Sequence, residues 1–238
     1  MTQTKHIAIS WSRWADFDQC PRKFFLKYIE KSPLFAEDPK NKSLHLVRGE
    51  QLHKQLEYYV LYKHDLAAGK ETPRPALSPE TESVTPLIDQ LMATSEVVLP
   101  ETQLAVDQNW KSVPWFDKSA AIRAILDLVA LRKDHAIIWD YKSGKYKPYA
   151  DECGQLHLSA AMVIRLKNLE YADVSYLFLD EKRPEGVRVT REEAEHVIQI
   201  FDERKARVNT EVKWDAKRNE YCSYCPATKA MCPHSKKF

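Results

Sequence analysis

Residues 122–145 read IRAILDLVALRKDHAIIWDYKSGK. Ile122 to Leu131 is a nearly continuous apolar run with Asp127 inside it, and Ala136 to Lys142 is a second strand-like run. Lys133-Asp134 stands between them, so the two runs predict a β-hairpin. A turn centred on that pair sets Asp127 directly opposite Asp140, with Cβ atoms roughly 5 Å apart. A loop of odd length would spoil the pairing. Asp140 and Lys142 are two apart on one strand and project from the same face. Carboxylates so close repel each other unless a cation sits between them. Mg²⁺ or Mn²⁺ takes oxygen ligands and keeps several waters. A lysine beside the ion can orient or help deprotonate a water, or neutralise charge on a phosphate. A lone D-x-K is common, but an aspartate inside an apolar run is not, because buried Asp is rarely left unpaired.

Outward from the hairpin, Ser12 to Lys31 reads as a helix, with Trp14, Phe17, Phe24 and Tyr28 at helical spacing and Ser10 or Ser12 as cap. Pro21 predicts a kink there, or two shorter helices. A second helix is expected from Leu46 to about Ala68, ending at Gly69. It carries His53, with Glu57 one turn later on the same face. Pro73, Pro75 and Pro79 mark a surface loop, Pro86 opens a short helix to Ala93, and Val97 to Val106 reads as a strand. Beyond the hairpin come a helix over residues 152–168, a strand from Val174 to Leu179 with a partner after Arg183-Pro184-Glu185-Gly186, and a long charged helix capped by Thr190. This order predicts an α/β (α+β) fold with a mixed central sheet flanked by helices.

The chain has five cysteines. Cys222-x2-Cys225 and Cys232 are compact enough for three sulfurs to converge, and Cys20 is available as a fourth ligand, with His234 as an alternative. Tetrahedral zinc and a [4Fe–4S] cluster both remain open from the spacing. Either would tie the two ends of the chain together and couple metal binding to folding. Cys153 is left over as a plain helix thiol.

The net charge of +2 neither demands nor forbids nucleic acid, since basic surface and acidic metal ligands cancel in the sum. No GxxxxGK[ST] or GxGxxG occurs, so an NTPase or dinucleotide enzyme is unsupported. The first residues, MTQTKHIAISWSRW, lack the apolar run of a signal peptide, and no stretch is long and apolar enough to span a membrane. The expected setting is therefore cytoplasmic, in a bacterial cell or phage-infected host, where thiols stay reduced.

Taken together, these pieces resemble the RecB-like PD-(D/E)XK nucleases, in particular the iron–sulfur subgroup that includes the AddB nuclease domain, CRISPR-associated RecB-like exonucleases and phage relatives. The resemblance rests on CPRKFFLKYI around Cys20, G-x3-H from Gly49 to His53, the strand aspartate Asp127, DYKSGK with Asp140 and Lys142, and the closing C-x2-C-P…C. It implies a restriction-endonuclease-like core in one domain over residues 1–238: a helical part over 10–95, a nuclease core over 96–190 and a helix with cysteine tail over 191–238. It also implies that His53, Asp127, Asp140 and the main-chain carbonyl of Tyr141 bind the metal, that Lys142 is the catalytic lysine, and that Cys20, Cys222, Cys225 and Cys232 hold a [4Fe–4S] cluster. The family's Q-x3-Y motif is half kept: Gln155 is in place, but Ser159 replaces the tyrosine. Glu101 is an additional acidic candidate on the preceding strand.

The implied activity is DNA exonuclease, in recombination, repair or phage DNA metabolism, on single strands or duplex ends, with a helicase or recombinase as partner. Trimming of DNA for CRISPR adaptation fits the same motifs. Arg22, Lys23, Lys27, Lys145 and Lys147 are candidate phosphate contacts, and Tyr146 and Tyr149 candidate base-stacking residues. A non-catalytic nucleic-acid module with a zinc ribbon is the alternative from another class, and it leaves Asp127, Asp140 and Lys142 without a purpose.

Overall fold

The computed structural model describes residues 7–36, 42–144, 146 and 154–237. Lys145, Lys147, Tyr149 and Cys153 lie outside the described residues. The chain divides into two compact units, one of Met1–Lys42 with Asp202–Phe238, the other of Ser43–Phe201.

The larger unit is built on a five-stranded sheet in the order β1 (Val97–Val106), β2 (Ile122–Leu131), β3 (His135–Lys142), β4 (Tyr171–Phe178) and β5 (Arg183–Thr190). The β2–β3 turn is Lys133-Asp134, closed by the bond from Arg132 N–H to the His135 carbonyl at 2.9 Å. Its register follows from that turn: Leu131 faces Ala136 and Leu128 faces Trp139. Pairing between β2 and β3 then stops. β2 continues beside β1 as far as Ile122, and β3 continues in parallel with β4 as far as Lys142. The two middle strands therefore splay beyond Leu128 and Trp139.

Helices cover both faces, as the apolar pattern requires. α3 (Leu44–Ala67) and α5 (Thr85–Thr94) bury Leu52, Leu56, Val60, Ile88 and Leu91 against Val98, Leu128, Ala130 and Tyr141. α3 starts at the Ser43 cap, whose hydroxyl accepts from Leu46 N–H, and stops before Gly69, whose φ of +75° favours glycine. A single turn, α4 (Pro79–Glu82), ends the proline-marked loop. α6 (Gln155–Lys167) crosses from β3 to the parallel β4, and strand alternation puts it on the face of Ala136, Ile138 and Asp140. α7 (Arg191–Thr210) opens with a capping box: the Thr190 hydroxyl accepts from Glu193 N–H, and the Glu193 carboxylate accepts from Thr190 N–H at 2.7 Å.

In the smaller unit, the expected helix over Ser12–Lys31 is two, α1 (Trp11–Gln19) and α2 (Pro21–Phe24), followed by a π-turn over Phe25–Ile29. The break is at Cys20, which is extended at φ −164° and ψ 107°. Pro21 drives its predecessor out of the helical region. Cys20 then caps α2, its sulfur accepting from Lys23 N–H at 3.4 Å. Trp214 joins the tail to these helices: its ring stacks on Phe24 at 5.8 Å and meets Phe17 edge-on at 6.2 Å.

Gly186 on β5 faces Ser175 on β4. A Cβ there would run into the Val174 carbonyl oxygen and sit 2.6 Å from Ser175 Cα. Gly186→Ala is expected to destabilise the larger unit by about 2 kcal/mol, read as a lower urea midpoint with an unchanged slope.

Candidate functional site

The site occupies the gap where β2 and β3 part. Asp127 would be the next residue to pair with β3; instead its Oδ2 accepts a hydrogen bond from Tyr141 N–H at 2.6 Å. The carboxylate thus takes the place of a ladder carbonyl and satisfies a donor that the splay would otherwise leave bare. On the other side, β1 pairs with β2 up to Pro100–Leu128 and resumes at Thr102–Leu126, skipping Glu101 opposite Asp127. Glu101 has φ +43°, a left-handed conformation uncommon for a side-chain-bearing residue. Such distortion inside a strand re-aims the side chain, and it concentrates at functional sites.

α3 supplies the third wall. His53 Nε2–H donates to the Tyr141 carbonyl at 2.9 Å, and Nδ1 lies 3.4 Å from Asp127 Oδ1. α3 can approach this closely because of Gly49, where a Cβ would come within 3.2 Å of the Ser143 hydroxyl. Ligand atoms of His53, Glu101 and Asp127 all lie within 4.8 Å of one another. Asp140 sits beside this set and is held differently: Gln155 Nε2 donates to its Oδ1 at 2.6 Å, and Lys142 Nζ is 2.5 Å from its Oδ2. The Lys142 ammonium also lies 4.7 Å from the centre of the Tyr176 ring.

The electrostatics of the pocket favour added positive charge. Burial and the neighbouring Asp127 charge push the Asp140 carboxyl up to about 6. Burial and the same Asp127 charge raise Glu101. Burial alone would lower His53, but its contact with Asp127 and the charges of Asp127 and Asp140 outweigh it, so the imidazole holds its proton more tightly than usual. All three shifts run toward the more positive form, the direction that crowded negative charge imposes and that a divalent cation relieves directly. Imidazole, carboxylates and a carbonyl are suitable donors for such an ion.

The smaller unit holds a second constellation. Cys20, Cys222, Cys225 and Cys232 are free thiols lining one cavity of about 360 Å³, with His234 also on its wall. Main-chain N–H groups point at the sulfurs: Lys23 and Lys217 at Cys20, and Asn219 at Cys222. Arg22, Lys23 and Lys27 belong to this unit. Arg22 donates to the Met231 carbonyl at 2.9 Å, while Lys23 and Lys27 both pair with Asp16, at 2.6 and 2.9 Å. Tyr146, in the larger unit, meets Phe178 edge-on and lies under Arg183, whose guanidinium is 4.5 Å from the ring centre.

A family model of the PD-(D/E)XK nuclease superfamily matches residues 8–233. The chain belongs to the PD-(D/E)XK nuclease superfamily. Its sheet and flanking helices are those of that fold, and the superfamily's enzymes are phosphodiester hydrolases that act on DNA with divalent metals. Among solved structures, this nuclease is similar to a protein of Eubacterium rectale described as "Putative exonuclease", at 16% identity and TM-score 0.50 over 94% of this chain and 88% of that one. It is also similar to SSO0001, at 12% identity and TM-score 0.48 over 96% and 87%. No curated protein matches the sequence. Among the described residues, no helix is long and apolar enough to cross a membrane.

The pH dependence of this nuclease without metal has a definite sign. The folded-state value of Asp140 lies above the unfolded one, so ionisation opposes folding. Stability falls as pH rises from about 4 through about 6, and the cost is complete above that. In chelator, Asp140→Asn is expected to be more stable than the parent at pH 7.5 by about 1–2 kcal/mol, with the gap closing by pH 4. Urea melts at both pH values check this; a gap independent of pH would mean that Asp140 is not the titrating group.

Proposed function

We propose that this nuclease is a DNA exonuclease of the RecB-like iron–sulfur kind, with His53, Glu101, Asp127 and Asp140 as its metal-binding groups and Lys142 as its catalytic lysine. The observation that carries the reading is the broken ladder at Asp127. Two strands part at one level, and Glu101, Asp127 and His53 converge there beside the Asp140–Lys142 pair. A structural carboxylate has no need of that company. Exonuclease action follows the RecB-like motifs, and the Eubacterium rectale neighbour bears the same description.

His53, Glu101, Asp127 and Asp140, with the Tyr141 carbonyl, would hold a divalent ion, which would supply Lewis acidity toward a phosphate oxygen and acidify a water for attack. The chain's own groups do the rest. Gln155 fixes the Asp140 carboxylate, and Asp140 in turn holds the Lys142 ammonium beside the ligand set. From there the Lys142 ammonium can meet the phosphate, neutralising its charge, or orient the attacking water by donating a hydrogen bond to it. The Tyr176 ring under the ammonium limits its swing.

The cysteine cavity supports a cluster over a lone zinc ion. A cavity of about 360 Å³ with several N–H donors aimed at sulfur suits the larger, anionic [4Fe–4S] unit.

Incubation of anaerobically purified protein with end-labelled linear and closed-circular DNA tests the activity. Mn²⁺- or Mg²⁺-dependent loss of linear DNA alone is expected, with Lys142→Ala reducing the rate by at least about 10²-fold. Cutting of the circle would replace exonuclease with endonuclease, and Lys142→Ala at the parent rate would remove the site. Cys225→Ser is expected to lose most of the brown absorbance and to lower the folded yield. A colourless parent carrying one zinc per chain would replace the cluster.

A further inference from the structure

The net charge of +2 conceals a segregation. The unit of Met1–Lys42 and Asp202–Phe238 carries 17 Lys and Arg against 10 Asp and Glu, a net of +7. The unit of Ser43–Phe201 carries 19 against 24, a net of −5. The unit with the acidic ligands is therefore electrostatically poor at attracting a polyanion, and the cysteine-bearing unit is suited to it.

Among the described residues of that unit, the exposed aromatic rings of Tyr221 and Tyr224 lie close to its positive charge. Tyr221 and Tyr224 are 53% and 82% exposed, and both border the cysteine cavity. They belong to a single 3₁₀ turn, Glu220–Ser223, and its C-cap. Cys222 of that turn and Cys225 just after it line the same cavity, so the two exposed rings stand beside the cysteines. Asn219 caps the turn through bonds to Tyr221 N–H and from its own N–H to Cys222 Sγ. The rings are thus presented on a short, fixed element. Lys217 and Arg22 share the rim, and each spends its hydrogen bonds on a main-chain carbonyl, Asp18 and Met231. Among the described residues neither has a carboxylate partner, in contrast to Lys23 and Lys27 on Asp16. Arg218 is exposed beside Lys217.

We propose that this rim, with Tyr221, Tyr224, Arg22 and Lys217 and with the exposed Arg218 next in the chain to Lys217, is a docking surface for single-stranded DNA that provides affinity, while the acidic unit provides cleavage. Unpaired cations track the phosphates, and flat rings stack on bases that only a single strand exposes. The assignment of the strand as DNA rests on the nuclease reading above.

Fluorescence anisotropy with a labelled oligothymidylate, measured on the full chain with its cysteine centre intact and without divalent metal, tests the surface. Tyr221→Ala with Tyr224→Ala is expected to weaken binding by roughly tenfold or more, while the paired Phe replacements retain it. Lys217→Ala with Arg218→Ala is expected to reduce the slope of log K against log salt by about 1.4. Visible absorbance and melting temperature should not move in any variant. Parental affinity in the double alanine variant overturns the proposal. Equal loss on blunt duplex overturns the single-strand assignment, and a parent with no salt-dependent binding assigns the rim to something other than nucleic acid. The two readings fail separately. Tyrosine-dependent binding without cleavage in any metal would remove the nuclease reading alone, and cleavage with tyrosine-independent binding would remove the docking surface alone.

Discussion

The hydrogen bond from Tyr141 N–H to the Asp127 carboxylate is the constraint on which the larger unit's architecture turns. A central strand pair normally closes every N–H on a carbonyl. Here a side chain substitutes for the carbonyl at one rung, and β2 and β3 are free to diverge beyond it. The divergence creates the gap, and the gap is where α3 can deliver His53 to the Tyr141 carbonyl. One contact therefore sets the sheet's shape and brings His53 beside the Asp127 carboxylate. It also carries a cost: a left-handed Glu101, on the order of 1–3 kcal/mol, and two carboxyls, Glu101 and Asp140, whose ionisation is opposed by burial and by the Asp127 charge. The apolar pack of Leu52, Leu56, Val60, Leu128 and Tyr141 beneath offsets it.

The smaller unit solves a similar problem with a single residue in two roles. Cys20 terminates α1 and, through its sulfur, caps α2, because Pro21 denies it a helical conformation. The same extended backbone turns the sulfur toward the cavity shared with Cys222, Cys225 and Cys232. Trp214, left-handed at φ +51°, then stacks on Phe24, so an aromatic contact anchors the tail. Lys217 and Asn219 add hydrogen bonds to the Asp18 and Gln19 carbonyls, and Arg22 one to the Met231 carbonyl.

How far this was legible in the sequence depended on the reach of each signal. The β2–β3 register could be read because a two-residue turn fixes every pair beyond it, and Lys133-Asp134 is that turn. The register of β1 could not, because residues 107–121 intervene and no tight turn specifies where Glu101 falls. Pro100 within VVLPETQLAV was the available hint of a broken strand. The Cys20 break was half legible: Pro21 announced a kink, but not that the cysteine itself would be the cap. His53 was legible only through the family motif, since one histidine on a polar helix face carries no signal of its own. Charge segregation was invisible for a different reason: the two segments that make up the basic unit lie at opposite ends of the chain, and only folding adds them together.

The departure from the family's Q-x3-Y pattern shows which part of that motif the site needs. Ser159 is buried on α6, and its hydroxyl donates back to the Gln155 carbonyl at 3.0 Å, so the missing tyrosine leaves no bare polar group behind. Gln155 stands at the first residue of α6, and its amide reaches Asp140 at 2.6 Å. Removing a ring from position 159 changes nothing in that link, because the two side chains serve different partners. A glutamine amide is well suited to the position: it donates to one carboxylate oxygen without adding charge, which leaves the other oxygen to Lys142. A lysine or arginine there would neutralise Asp140 and weaken its pull on both Lys142 and a cation. The chain has kept the half of the motif that sets charge and geometry at Asp140, and base stacking is free to be supplied elsewhere on the protein.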